Sequence, residues 1–429
     1  MNYKVSFSTI GFRINQYESS VYADELRKSG IEIVPFGDEC DIAVINTCTV
    51  TAESDRKSRQ LIRRGVKSAR IGVIVTGCFA EISKGEAYSI DGVIAVVGNK
   101  NKSDTVKAVK CALGIDGNFD LQDPEVFEEC NGVLTVPGRV RTFIKIEDGC
   151  ESKCAYCIIP KARGPIRSKA PSVILDEADA LIKGGSPEII LTGIEISAYG
   201  NDFKENGIKY DLADLILDMS ENPLLQRLGL GSLDPTLMTD RFLEKISGSK
   251  QLLRHFHISL QSGCSSVLRR MRRKYNAEQA QEIMDRIRRY FPDANISADI
   301  IAGFPGETEA EFLESCDFCR EADFLNLHIF PYSVREGTEA ALMPDQIPES
   351  EKKRRVAELE QIHAETRSKL MQRYADRDQG VHVLFEQKKD GVLIGHSEHY
   401  VELKADGSAE LVGKICEVIP HADGTCRII

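Results

Sequence analysis

Three cysteines crowd the stretch GCESKCAYCIIPKARG as Cys150, Cys154 and Cys157, spaced C-x3-C-x2-C. A thiolate is a soft metal ligand, and three on one tight loop suit a cuboidal iron–sulfur cluster with one iron left open to a small molecule. Structural zinc takes four protein ligands, so zinc or a coincidence of spacing is the competing reading. Two more cysteines, Cys48 in INTCTV and Cys78 in VTGCFAE, each end a predicted strand. A third stretch of that kind, STIGFRINQYE, carries Phe12 instead. A phenyl ring cannot donate electrons to iron.

These residues need elements to hold them. YKVSFSTI, DIAVINTC, IGVIVTGC and GVIAVVG read as strands, and QYESSVYADELRKSG, AESDRKSRQLIRRGVKSA and AEISKGEAY as the helices between. Such alternation predicts an α/β domain with a parallel sheet, whose ligands gather beyond the carboxyl ends of the strands. Phe12, Cys48 and Cys78 fall at that edge. Cys40 begins the strand that Cys48 follows, roughly 25 Å away at ~3.3 Å per residue, and reads as a small buried thiol. Residues 112–135 are Gly- and acid-rich and read as a linker. Alternation resumes at RTFIKIEDGC and runs through EIILTG, RLGLGSL, HFHISLQ, ANISADIIAGF and FLNLHIFPYS, which predicts a partial or full β/α barrel. ESEKKRRVAELEQIHAETRSKLMQRYA is a charged connecting helix, and the short strands after it predict a small all-β barrel. The expected domains are 1–125, 136–365 and 370–429. CDFC at 316–319 spans one helical turn and reads as a buried helix face.

A chain of 429 residues with 42% hydrophobic and 28% charged residues is globular and too long for one core. No apolar run reaches the ~18 residues of a membrane span, and MNYKVSF is too short and polar for a secretory signal. A cytoplasmic protein without a membrane partner is expected. Thirteen cysteines then point to metal binding or catalysis rather than disulfides. The net charge of −11 argues against a broad nucleic-acid surface. Two basic patches could still touch phosphates: Arg269, Arg270, Arg272, Arg273 and Lys274 ahead of Tyr275, and Arg56, Lys57, Arg59, Arg63 and Arg64. Solvated helix faces are the plainer account of both.

INTCTVTAESDRKSRQ, VTGCFAE, IEDGCESKCAYCIIPKARGPIRS, LTGIEISAYGND, SLQSGCSSVLRRMRRKY and DIIAGFPGETEAEF resemble stretches of the radical S-adenosylmethionine methylthiotransferases, and the resemblance covers nearly the whole chain. LTGIEISAYG most resembles the branch that modifies threonylcarbamoyladenosine beside a tRNA anticodon. Sister branches modify isopentenyl-adenosine or an aspartate of a ribosomal protein. The tail resembles the RNA-binding TRAM module, an OB-like barrel. The resemblance implies a 4Fe-4S cluster on Cys150, Cys154 and Cys157, whose open iron chelates S-adenosylmethionine. An electron from a flavodoxin- or ferredoxin-type protein then cleaves the sulfonium to a hydrogen-abstracting 5′-deoxyadenosyl radical.

Residue by residue, it places Tyr156 against the cofactor, and Thr192, Gly193 and Glu195 on the methionine or substrate side. Ser232, Gln261 and Asp299 are expected at strand ends around the barrel, with polar strand termini or helix caps as the plain alternative. His382, Phe385, His396, His399 and Tyr400 could stack on a base of the tRNA partner. A second 4Fe-4S cluster, implied on three strand-end cysteines, finds Cys48 and Cys78 but meets Phe12 at the third position. The expectation is methylthio insertion at carbon 2 of a threonylcarbamoylated adenosine, with sulfur insertion impaired or altered. One alternative is a radical enzyme acting on a protein or peptide, for which deleting 370–429 would matter little. The other is an RNA-binding protein with a vestigial cluster, unable to cleave S-adenosylmethionine.

Overall fold

In the computed structural model, which describes residues 3–117, 127, 140–376 and 380–429, the first unit is a five-stranded parallel sheet. Its strands are β1 (Lys4–Thr9), β2 (Glu32–Val34), β3 (Cys40–Thr47), β4 (Ala69–Gly77) and β5 (Val93–Val97), in the order β2-β1-β3-β4-β5. Side chains alternate across the pleat. Val5, Ile42, Val44 and Ile74 therefore meet α1 (Arg13–Lys28), while Ala43, Ile45, Val73 and Val75 meet α2 (Ala52–Ser68) on the other face. The predicted helix AEISKGEAY is two short ones, α3 (Cys78–Ile82) and α4 (Lys84–Tyr88), broken at Ser83. α5 (Asp104–Ala112) was not foreseen and ends at the start of the predicted linker, most of which, with Cys130, lies outside the described residues.

The central unit opens with β6 (Arg141–Lys145) and a two-stranded ribbon of β7 (Glu147–Asp148) and β8 (Arg167–Ser168), which brackets the cysteine loop and α6 (Ile159–Arg163). After α7 (Pro171–Lys183) come β9 (Glu188–Thr192), α8 (Leu212–Ser220), β10 (Arg227–Leu230), α9 (Asp240–Ile246) and β11 (His255–Gln261). They are followed by α10 (Ser265–Arg270), α11 (Ala277–Tyr290), β12 (Asn295–Ala302), α12 (Glu309–Glu321) and β13 (Asn326–Pro331). β6, β9 and β10 pair as one parallel sheet and β11, β12 and β13 as another, joined where Leu233 bridges Ile258. Among the described residues β6 and β13 do not pair. The barrel is therefore partial, with six strands and a gap between its first and last.

α13 (Glu349–Ala375) is more than a connector. Leu359 and Ile362 lie in the barrel's outer core, whereas Leu370, Met371 and Tyr374 lie in the core of the tail. The tail itself is β14 (Val381–Lys389), β15 (Val392–Ser397), β16 (Glu402–Asp406), β17 (Ile415–Pro420) and β18 (Cys426–Ile428). They pair antiparallel in the order β16-β15-β14-β17-β18, and a Lys404–Thr425 bridge nearly closes them into the OB-like barrel expected. No helix among the described residues is long and apolar enough to cross a membrane.

Candidate active site

Cys150 follows β7, and Cys154 and Cys157 lead into α6. Gly149 makes the entry turn at φ +98°, with the Pro165 carbonyl occupying the space a Cβ would need. Ala155 fixes the loop's middle, its N–H donating to the Met271 carbonyl (3.1 Å) and its own carbonyl accepting from Ala340 N–H (2.8 Å). The Cys150 sulfur accepts from the Ser152 amide (3.4 Å) and the Cys154 sulfur from Arg273 Nη1 (3.3 Å). Burial, with the neighbouring thiols adding to it, pushes Cys150 up to about 11 and Cys157 up to about 12. A bound metal cation would offset that cost, because coordination favours the thiolate form. Tyr156 borders a buried patch of Val267, Met271, Phe304 and Tyr332.

Beside the loop lies a group of carboxylates. Glu147 Oε2 accepts from the amides of Ile194 (3.0 Å) and Glu195 (2.8 Å). Gly193, next to the buried Thr192 that ends β9, is required there: a Cβ would stand 2.7 Å from Ile196 Cγ2 and 2.8 Å from Glu147 Oε2. Burial pushes the Glu147 carboxyl up to about 8, and burial with the charge of Asp234 pushes Glu195 up to about 7. One oxygen on each, Glu147 Oε1 and Glu195 Oε1, is buried without a hydrogen-bond partner. Orphaned acceptors of this kind are costly unless something binds them. An ammonium group, such as S-adenosylmethionine carries, fits that need. Arg273 ties the two parts together, donating also to Asp234 Oδ2 (3.0 Å) and the Ser259 carbonyl (2.9 Å).

The remaining expected residues scatter. Gln261 is at a bulge with φ +78°, a left-handed conformation unusual for glutamine, and Ser232 is exposed beyond β10. Asp299 is not at a strand end: it lies inside β12 and pairs with His257 Nε2 at 3.1 Å. Glu147, Asp234 and Arg273 were missed. Arg273 had been grouped with phosphate-facing cations, whereas it is turned inward; its neighbours Arg270 and Arg272 pair with Glu311 and Glu339.

At the edge of the first sheet, Gly11–Phe12, Cys48 and Cys78 follow the adjacent strands β1, β3 and β4. A Cβ on Gly11 would lie 3.1 Å from Cys48 Cβ, so the first two loops touch. Cys48 and Cys78 are buried, but Phe12 is 55% exposed. Cys78 Sγ accepts from Asn99 Nδ2 and Arg163 Nε, each at 3.4 Å. Among the described residues no group of three or more Cys, His, Asp or Glu stands close enough together to hold a metal ion, at this edge or at the cysteine loop. Cys40 is at the far end of β3, against Ser6 Oγ (3.3 Å). Two thiols and a phenylalanine are what the three loops of this edge present.

Both sulfur-bearing loops share a buried charge network. Arg163 Nη1 reaches Glu18 (2.7 Å) and Asp148 (3.3 Å), and Lys102 contacts the same two carboxylates. A second joint sets Arg335 against Thr49 (2.6 Å) and Asp55 (2.7 Å).

The tail residues expected to stack on RNA serve elsewhere. Phe385 is in the tail's core, and the His399 ring contacts Tyr374 and Asp293. Tyr400 stacks on His255 of β11 with centroids 4.3 Å apart, and His396 contacts Tyr400 and Glu386. Arg227 Nη1 donates to the His396 carbonyl, closing the tail against the amino ends of the barrel strands. His382 alone of the five has an exposed side chain. Cys316 and Cys319 of CDFC are core residues, as expected.

Residues 144–319 match the Radical SAM superfamily, and residues 4–98 match the Uncharacterized protein family UPF0004. The chain is 35% identical, over 96% of its length and 93% of the relative's, to the threonylcarbamoyladenosine tRNA methylthiotransferase MtaB of Bacillus subtilis. It is 32% identical, over 97% of its length and 81% of the relative's, to the tRNA-2-methylthio-N(6)-dimethylallyladenosine synthase of Oceanobacillus iheyensis. Its fold is similar to that of the radical S-adenosylmethionine methyltransferase TsrM of Kitasatospora setae, with a TM-score of 0.54 at 14% identity, covering 77% of this chain and 75% of that one. Relatives at 35% and 32% identity thus match nearly the whole of the chain, and the chain belongs to the radical S-adenosylmethionine methylthiotransferase family.

Proposed function

We propose that this chain is a tRNA-modifying transferase that places a methylthio group on carbon 2 of N6-threonylcarbamoyladenosine beside the anticodon, and that Phe12 impairs the sulfur-donating half of that reaction. The observation that carries the reading is the cysteine loop set against two buried carboxylates with orphaned oxygens, Glu147 and Glu195. When bound, a 4Fe-4S cluster and S-adenosylmethionine supply a carbon-centred radical able to abstract hydrogen. Cys150, Cys154 and Cys157 hold the cluster in this reading, and Arg273 steadies Cys154 through its N–H···S bond. Glu147 and Glu195 accept the ammonium of S-adenosylmethionine, while Phe304 and Tyr332 behind Tyr156 keep water from the loop. A flavodoxin- or ferredoxin-type protein delivers the electron.

The edge at Cys48 and Cys78 offers two thiols where the reaction needs three, because Phe12 is exposed and its side chain has no donor atom. Anaerobically reconstituted protein is expected to carry about four irons per chain, against about eight for Phe12→Cys. Nucleoside mass spectra of tRNA from cells carrying the chain, the Phe12→Cys version or neither test the function. Methylthio product from Phe12→Cys at several times the amount from the natural chain supports both halves of the reading. Product in equal amounts from both would refute the impairment, and product from neither would refute the function.

A further inference from the structure

The barrel lumen carries a second polar group, below the cysteine loop. Phe256, Ile258 and Leu260 of β11 point into the outer core, so His255, His257 and Ser259 point inward. On β12 the same alternation turns Ser297 and Asp299 inward, and on β13 it does so for His328. His255 Nε2 meets Ser297 Oγ at 2.8 Å, and His257 meets Asp299 at 3.1 Å. The His328 ring stands edge-on to His257, with centroids 5.0 Å apart. His328 is exposed, on the last strand beside the gap in the barrel wall.

Arg13, the first residue of α1, stands at that gap. Its guanidinium lies 5.8 Å from the ring centre of Phe143 on β6, the strand across the gap from β13, and Nη2 donates to the Tyr400 hydroxyl at 2.7 Å. Burial, with the charge of Arg13 among the smaller causes, keeps both His255 and His328 below their ordinary range, which puts Arg13 within electrostatic reach of both rings. The neighbouring Arg141 is neutralised by Glu188 (2.6 Å) and Glu386 (3.3 Å). Arg13 forms no ion pair with a carboxylate among the described residues, and Asp299 is engaged by His257. A cation held in place by a phenol and a phenyl face, without a counter-ion, beside imidazole donors, is suited to an anion from outside.

The relatives divide by the group on N6 of adenosine. One name specifies threonylcarbamoyl, which ends in a carboxylate, and another dimethylallyl, a hydrocarbon. A hydrocarbon gains nothing from Arg13 and would cover its charge without supplying a counter-ion. We infer that Arg13 and His328 form the subsite that receives the carboxylate of the threonylcarbamoyl group, and so select the substrate against its dimethylallyl counterpart. The inference rests on the function proposed above and adds to it the residues that choose the side group.

The test measures binding of the full reconstituted chain to synthetic anticodon stem-loops carrying threonylcarbamoyl-, dimethylallyl- or unmodified adenosine at the target position. Arg13→Gln is expected to weaken the threonylcarbamoyl complex by about tenfold or more and to leave the other two within about twofold. Arg13→Lys should retain most of the preference, and His328→Asn should lose part of it. An equal loss on all three stem-loops would mean that Arg13 contacts a backbone phosphate, and no loss would mean that it contacts no anion. Either result overturns the subsite. If the unsubstituted chain itself shows no preference for threonylcarbamoyl, the proposed substrate fails instead, and that failure appears before any variant is made.

Discussion

Glu147 accepts two backbone amides through one oxygen and leaves the other buried without a partner, in a setting that favours its neutral form. Its carboxyl is pushed from 4.5 up to about 8, chiefly by burial. The folded chain therefore keeps a proton there that the unfolded chain has released, so the group's stabilising contribution is full below about pH 4.5 and is lost as pH rises through about 8. Glu147→Gln mimics the neutral form. In the ligand-free chain its melting temperature should match the parent's near pH 5 and exceed it above pH 8, as a melting series across pH would show. Its affinity for S-adenosylmethionine should drop about tenfold, because a carboxylate partner for the ammonium is gone; unchanged affinity by calorimetry would contradict the role given to Glu147. At this scale the sequence was legible where chemistry is local. Three thiols within eight residues announce themselves, as does a phenylalanine at a strand end where two counterparts have thiols. Glu147, Asp234 and Arg273 were illegible because they converge from β7, the loop after β10 and the turn after α10, and no spacing within the chain encodes that. Asp299 was misplaced although the stretch read as a strand, ANISADIIAGF, already runs past it, and β12 continues to Ala302.

Among the elements, the five-residue α6 helps join the first unit to the barrel. Its last residue, Arg163, is fully buried and reaches Glu18 on α1, Asp148 on β7 and Cys78 on α3. Removing one partner from a buried ion network strands the others. Arg163→Leu is expected to cost roughly 3–5 kcal/mol of stability, read as a shift in denaturant midpoint. Burial alone would raise the Glu18 carboxyl, but Arg163 and Lys102 overcome it and hold that carboxyl well below its ordinary 4.5. Its stabilising contribution is thus present above about pH 4.5 and is lost as pH falls toward the depressed folded value. Arg163→Leu should flatten that acid limb; an unchanged limb would show that the network does not govern Glu18. Strand and helix alternation made most elements readable, since periods of 2 and 3.6 are written locally. The Ser83 break escaped because α3 and α4 are five residues each, too short to show a period, and α5 because its nine residues give little more than two turns of pattern.

Across the whole molecule, α13 and the tail are built into the barrel rather than appended to it. Leu325, which precedes β13, shares a core with Leu370, Met371, Tyr374 and Val383. A chain ending at residue 375 should therefore melt several degrees lower and scatter light on warming, with an unchanged melting curve as the contrary result. The small barrel was foreseen from its strand spacing, but the side it presents to its neighbour was not, since alternation separates two faces without saying what covers either. His396, His399 and Tyr400 look like a stacking surface in sequence and are a docking surface in the fold.

Tyr400 has a wider consequence, because its hydroxyl accepts from Arg13 near one end of the chain and from Arg141 at the start of the barrel. On the function proposed above, the last module thus helps build the chamber floor. Cutting it away is expected to blunt discrimination between nucleosides and to loosen the barrel in one stroke. Only single-residue changes at the floor can tell these losses apart.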